Sequence, residues 1–186
     1  MTADEDRIVV EAVLAGAVES FAVLVERHQG RILAHLTRLV GRSDAEDLTQ
    51  DTFVRAYQGL ARYDPLYPFR GWLLVIASRL AANHAARRRE ARFAAEAPEP
   101  VGSCPDPART VAENDAHGVL VARLERALQT LSTDAQALYE LRFRQELSVS
   151  ELAAHFSISE SALKVRVHRL RQTLAERLGI SLEEAS

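Results

Sequence analysis

A single cysteine, Cys104, stands among 186 residues, so no intramolecular disulfide can form and no second thiolate is present to share a metal. The six histidines, His28, His35, His84, His117, His155 and His168, show no i, i+4 pairing and no cysteine neighbour. No metal and no cofactor is therefore expected. Long apolar runs are missing too: nowhere do about 18 uncharged apolar residues follow one another, which argues against membrane insertion. The chain opens MTADEDR, acidic where a secretory signal would be basic, so a cytoplasmic location is expected. Proline is confined to two places, Pro65 with Pro68, and Pro98, Pro100, Pro105 with Pro107.

What is abundant is apolar residue, 47% of the chain, enough for a conventional core. The formal net charge of −3 hides an uneven distribution. Residues 65–92 carry 1 acidic and 6 basic groups, and residues 160–178 carry 2 and 5, whereas residues 1–64 carry 11 and 7. Two basic segments in an acidic chain are the local pattern of a polyanion-binding face.

The apolar spacing is helical, as in Phe21, Leu24, Val25 and His28, or Leu120, Leu124, Ala127, Leu128 and Leu131. No period-two strand competes with it, and the predicted fold class is all-α. The stretch EAPEPVGSCPDPA lacks large apolar residues and cannot continue a helix. It divides the chain into two small helical domains at 1–92 and 113–178, a flexible linker at 93–112 and a tail at 179–186. Few contacts are expected to cross that boundary. Two capping boxes predict helix starts, Ser43 with Glu46 and Ser148 with Glu151, the first helix running to about Leu60 and the second ending near Phe156.

Three segments carry the functional signal. In SDAEDLTQDTFVRAY, helical periodicity sets Ala45, Leu48, Thr52 and Ala56 on a packing stripe, and Asp44, Asp47 and Asp51 on an outward one. A solvated helix start accounts for those carboxylates as readily as a binding role does. No His, Ser or Lys lies nearby in sequence to make an acid–base pair, so no enzyme activity is expected. In PFRGWLLVIASRLAANHAARRREAR, Trp72 opens a helix that ends in Arg87, Arg88 and Arg89. Trp72 serves either as a core anchor or, with Tyr63, Tyr67 and Phe69 beside arginines, as a stacking platform for unpaired bases. The arginine run is either a phosphate contact or a solvated helix end matched to the dipole.

LSVSELAAHFSISESALKVRVHRLRQTL reads as a short capped helix, a tight turn and a longer helix. Leu163, Val167, Leu170 and Leu174 form its apolar stripe; Lys164, His168 and Arg171 flank it, with Ser161 nearby. That is the layout of a recognition helix in a major groove. Arg166 and Arg169 lie on the other flank, in reach of either the DNA backbone or another protein, and Val165 projects away from the stripe, where it could touch a thymine methyl; a plain structural helix pair is the alternative to a DNA reader.

The order of these motifs, from Ser20-Phe21 through DAEDLTQDTFVRAY and FRGWLLVIASRLAANHAARRR to the helix-turn-helix, closely resembles the extracytoplasmic-function (ECF) sigma factors of bacterial RNA polymerase. The resemblance covers residues 8 to 178. It implies a sigma2-like domain that docks on core polymerase and melts the −10 element, and a sigma4-like domain that reads the −35 element. It implies that Glu46, Asp47, Gln50 and Asp51 contact the β′ clamp helices. Tyr67, Phe69, Arg70, Trp72, Arg79 and Asn83, with phosphate contacts from Arg87, Arg88 and Arg89, would serve the −10 element. Ser161, Lys164, Val165, Arg166, His168, Arg169 and Arg171 would serve the −35 element. Partners implied are core polymerase, including its β flap, promoter DNA and an anti-sigma factor. The chain departs from the family pattern at Arg79, where Asn is usual, at Ser157, where Gly is common, at Ala162–Arg166, and at Ser132, where Pro follows Leu. A sigma-like decoy for an anti-sigma factor and a plain helix-turn-helix repressor are the competing readings; the second leaves the acidic and Trp motifs unexplained.

Overall fold

The computed structural model describes residues 3–94 and 116–180. Cys104, the second proline group and residues 181–186 of the tail lie outside them. The elements are α1 (Ala3–Leu14), a 3₁₀ turn Val18–Ser20, α2 (Phe21–Val40), α3 (Arg42–Gly59), a 3₁₀ turn Leu60–Arg62, α4 (Phe69–Ala94), α5 (Ala116–Gln129), α6 (Thr133–Tyr139), a π-helical turn Glu140–Arg144, α7 (Val149–Phe156) and α8 (Glu160–Leu178). No strand occurs among the described residues.

In the N-terminal unit α2, α3 and α4 pack on one another, and α1 lies against α2 and the start of α4. Each helix contributes one apolar stripe: Leu24, Ile32 and Leu36 from α2, Ala45, Leu48, Phe53 and Ala56 from α3, and Phe69, Leu73, Leu74, Ala77 and Ala81 from α4. Full burial of a side chain such as Phe69 or Leu73 stabilises the unit by about 1.5–3 kcal/mol. His35 is also wholly buried. Its Nε2–H donates to Ser78 Oγ at 2.9 Å, and that hydroxyl donates to the Leu74 carbonyl. Nδ1 has no partner, which suits the neutral tautomer because only a lone pair is left there. Burial, aided by the Arg38 charge, lowers the His35 pKa to about 3.

The junction of α2 and α3 departs from the capping prediction. Gly41 adopts φ 84°, ψ 167°, a conformation open to glycine and strained for other residues, and it is itself the N-cap of α3. The helix therefore begins at Arg42, and Ser43 lies inside its first turn without capping a backbone N–H. The prediction failed because a sharp glycine break two residues upstream took the capping position. At α7 the prediction holds: Ser148 Oγ accepts from the Glu151 amide at 3.1 Å, and the Glu151 carboxylate accepts from the Ser148 amide at 2.6 Å. Two caps were not predicted. Ser132 accepts from the Ala135 amide to start α6, and Ser159 accepts from the Ala162 amide to start α8.

The C-terminal unit packs α5 and α7 on α8 through Leu124, Leu128, Leu152, Leu163, Leu170 and Leu174. Ser157 closes α7 in the left-handed region at φ 56°, which is why glycine suits that turn.

Contrary to the expectation of few contacts across the boundary, α4 packs against α6 and α7, and α2 touches α6. Arg38 of α2 reaches Glu140, at the start of the π turn, with Nε 2.7 Å from Oε2; the Glu140 side chain is 7% exposed. Arg144 approaches the same carboxylate at 3.4 Å and also pairs with Glu125. Sequence spacing carries no trace of a pairing 102 positions apart.

Candidate nucleic-acid interface

On α3 the packing stripe excludes Glu46, Asp47, Gln50 and Asp51, and all four are exposed, as helical phase demands. The same stripe continues one and two turns on as Val54, 53% exposed, and Tyr57, 43% exposed. Phe21 meets the Tyr57 ring edge-on at 5.2 Å. The acidic patch thus runs into an apolar one. Sequence reading missed Val54 and Tyr57, although large apolar residues in phase with the carboxylates were the available signal.

Asp44 departs from the expectation of an outward stripe. Its side chain is 25% exposed and its Oδ2 receives His84 Nε2 at 3.0 Å and Arg88 Nη1 at 2.8 Å, both from α4. Burial pushes the Asp44 pKa up, but the hydrogen bond from His84 and the charges of His84 and Arg88 outweigh it, so the carboxyl titrates below its usual range. Asp47, Asp51, Asn83 and Arg87 line the groove beside this contact.

The loop between α3 and α4 is held by its own polar atoms. Tyr63 donates its hydroxyl to the Tyr67 carbonyl at 2.6 Å, and the Leu66 amide donates to Asp64 Oδ1 at 3.0 Å. Pro68 supplies the carbonyl that accepts from the Gly71 amide at 2.9 Å, opening α4. Beneath the loop lie Tyr63, Phe69 and Trp72, with ring centroids 5.3–5.6 Å apart. Burial, with Asp6 and Asp64 nearby, raises the Tyr63 pKa to about 12, so its hydroxyl remains a donor.

These rings divide by exposure. Phe69 is 0% exposed, so the expectation that it stacks on a base does not fit this arrangement: its ring belongs to the core under the loop. It missed because periodicity does not tell how deeply a helix start is set. Trp72 and Tyr67 are half-buried and line a groove with Arg62, Ile76 and Arg79. His28 lies 5.7 Å from Phe69 and donates its Nε2–H to Asp6 Oδ2, 2.8 Å away, while Arg27 holds the other oxygen of that carboxylate, so α1 is tied to α2 beneath the loop.

Along α4, Arg79, Asn83, Arg87, Arg88 and Arg89 are exposed. Two of the expected contacts face the C-terminal unit. Arg70 donates to the Gln145 carbonyl at 3.5 Å, and the Arg79 guanidinium sits 6.0 Å from the centre of the Phe156 ring. Ala154 of α7 closes the groove that holds Tyr67 and Trp72.

On α8, Leu163, Leu170 and Leu174 are buried and Val167 is half-buried. Ser161, Lys164, Val165, Arg166, His168, Arg169 and Arg171 are all exposed, and Val165 is 50% exposed. Together they occupy the part of the 19-residue helix that the apolar stripe leaves to solvent. Among the described residues, no group of His, Cys, Asp and Glu could hold a metal, and no helix is long and apolar enough to cross a membrane.

Comparison with known proteins matches this division. Residues 24–91 match the Sigma-70 region 2 family and residues 122–174 the Sigma-70, region 4 family. The chain is 32% identical over 192 residues to the RNA polymerase sigma factor CnrH of Cupriavidus metallidurans, covering 97% of this chain and 98% of that one. It is 34% identical to CarQ of Myxococcus xanthus, covering 91% and 96%. With the ECF sigma factor SigE of Mycolicibacterium smegmatis it shares 34% identity over 165 residues, spanning 63% of that protein's length. Among solved structures, CnrH in complex with the cytosolic domain of CnrY superimposes with a TM-score of 0.62 at 29% identity, covering 94% of this chain and 97% of CnrH. The sigma factor RpoE of Bartonella quintana, in complex with the anti-sigma factor NepR, gives 0.62 at 23% identity over 88% of this chain and 99% of its own, a likeness of fold. With relatives of this identity along nearly its whole length and a sigma region matched in each half, the chain belongs to the ECF family of RNA polymerase sigma factors.

Proposed function

We propose that this protein binds core RNA polymerase and directs promoter-specific initiation by reading −10 and −35 elements, acting by binding and not by catalysis. The observation that carries the reading is the presence on one chain of three separate surfaces of matching chemistry. They are the acidic-to-apolar stripe of α3, the aromatic loop followed by the arginine-rich end of α4, and the basic flank of α8. The α3 stripe, Glu46 to Tyr57, docks on the β′ clamp helices, and the C-terminal unit meets the β flap. Tyr67, Trp72, Arg79 and Asn83 handle an unpaired −10 strand, where unstacking a base costs a few kcal/mol that stacking and phosphate contacts offset. Arg87 and Arg89 take phosphates, and α8 enters the −35 major groove with Ser161, Lys164 and Val165 toward base edges. Each unit alone binds weakly, and their linkage raises the effective concentration of the second contact. The protein works in the cytoplasm, with an anti-sigma factor as a further partner; CnrH, solved in complex with the cytosolic domain of CnrY, is a precedent for a protein partner.

Run-off transcription with purified core polymerase and a promoter library tests the reading. Specific start sites absent with core alone are expected. No transcript from any promoter, with intact binding to core, would favour the decoy reading instead.

A further inference from the structure

The tip of the loop before α4 is shaped by hydrogen bonds and not by apolar burial. The Tyr67 amide donates to the Asp64 carbonyl at 3.2 Å, closing a four-residue turn with Pro65 at its second position, where a fixed φ is favoured. The Leu66 amide donates to Asp64 Oδ1 at 3.0 Å. Asp64, Pro65 and Leu66 are all exposed, and Leu66, at 85%, gives the tip no apolar anchor. A further bond comes from beneath. Tyr63 is buried, its ring packs on Phe69 and Trp72 with centroids 5.3 Å away, and its hydroxyl donates to the Tyr67 carbonyl at 2.6 Å. One hydroxyl thus ties the far arm of the turn to the packed base of the loop, beside the groove that Tyr67 and Trp72 line.

Resting on the reading of this loop as part of the −10 site, we propose that Tyr63 is a positioning residue for −10 recognition: its hydroxyl fixes the turn in the shape that sets Tyr67 beside Trp72 for an unpaired base. A loop already held in its bound shape loses little conformational freedom when the base enters. Without the tie, the turn must be ordered during binding, and affinity falls. The effect is confined to base recognition. Arg87 and Arg89 lie about four turns along α4 from Trp72, so their phosphate contacts do not depend on the turn, and a strand of any sequence keeps them. Tyr63 therefore strengthens binding of a −10 strand without strengthening binding of random DNA, and it does so from beneath the loop, out of reach of the DNA.

The test uses the full chain and two labelled single strands, one carrying a −10 element from a promoter selected by run-off transcription and one its scrambled sequence. Affinity is measured as a function of salt. Tyr63→Phe keeps the ring and removes only the hydroxyl. It is expected to bind the −10 strand about three- to tenfold more weakly, the contribution of one neutral hydrogen bond. Affinity for the scrambled strand and both salt slopes should stay as in the wild type, because no phosphate contact is lost. Asp64→Ala and Asp64→Asn remove the same charge, but only Asn keeps an acceptor for the Leu66 amide. Asp64→Ala should therefore discriminate between the strands less well than Asp64→Asn. Wild-type discrimination in Tyr63→Phe overturns the proposal, as does an equal fall on both strands, which marks a loss of fold, or equal discrimination by the two Asp64 variants. If the wild-type chain binds both strands alike, the reading of the loop as a −10 site falls, and the positioning role with it.

Discussion

Replacing Glu140 by Gln alters one side chain of the C-terminal unit, yet its effect should be felt in the other. The Glu140 carboxylate is 7% exposed and takes a 2.7 Å hydrogen bond from Arg38 of α2, which is 34% exposed. A hydrogen bond to a charged group contributes about 1.5–3 kcal/mol, and partial exposure of Arg38 places this one near the lower limit, about 1.5 kcal/mol. Gln keeps the shape and still accepts weakly, so the expected loss is about 1 kcal/mol. Trp72 is the sole tryptophan and lies in the N-terminal unit, packed against Tyr63 and Phe69, so its fluorescence follows that unit alone. With a urea dependence of about 1 kcal/mol per M for a unit of this size, the Trp72-detected midpoint should drop by about 1 M. Arg38→Ala should lower it comparably. The double variant Arg38→Ala/Glu140→Gln should lose less than the sum of the two, because both remove the same contact. An unmoved Trp72 midpoint in Glu140→Gln, or strict additivity in the double variant, would refute the packing of the two units on one another.

The buried His35 sets a pH dependence: its folded pKa of about 3 lies below its ordinary value of 6.5, so the unfolded chain binds the extra proton between them. Stability is therefore full above pH 6.5 and falls by about 1.4 kcal/mol per unit as pH drops toward 3; burial lowers the His28 pKa too, against the pull of Asp6, and adds in the same direction. Denaturation midpoints measured from pH 7 to 5 should show the slope, and His35→Leu should flatten it. Asp47→Arg should weaken association with core polymerase while leaving the helical signal intact, because the residue is exposed on α3; undiminished co-elution with core at moderate salt would count against the docking stripe. Asn83→Ala should change which −10 sequences open in permanganate footprints, whereas Arg89→Ala should weaken all promoters alike and reduce the salt slope by about 0.7–0.9. Equal effects of the Asn83 change on every promoter would remove base reading from α4.

Local rules carried far in this chain. The reciprocal Ser148–Glu151 cap and the spacing of Leu163, Val167, Leu170 and Leu174 are enough to place α7 and α8, because both depend on neighbours within one or two helical turns. For the same reason the phase of α3 leaves Asp47, Gln50 and Asp51 outside once Ala45, Leu48, Thr52 and Ala56 are inside. The tertiary structure decided what depends on partners far along the chain. Gly41, with its left-handed turn, took the capping position from Ser43. Packing of α1, α2 and α4 drew Phe69 under the loop and away from any base. Asp44 found its partners His84 and Arg88 40 and 44 positions on, and Arg38 its carboxylate 102 positions on. Periodicity tells which face of a helix turns inward; only packing decides which charged side chains from other helices it meets there, because those partners lie far along the chain.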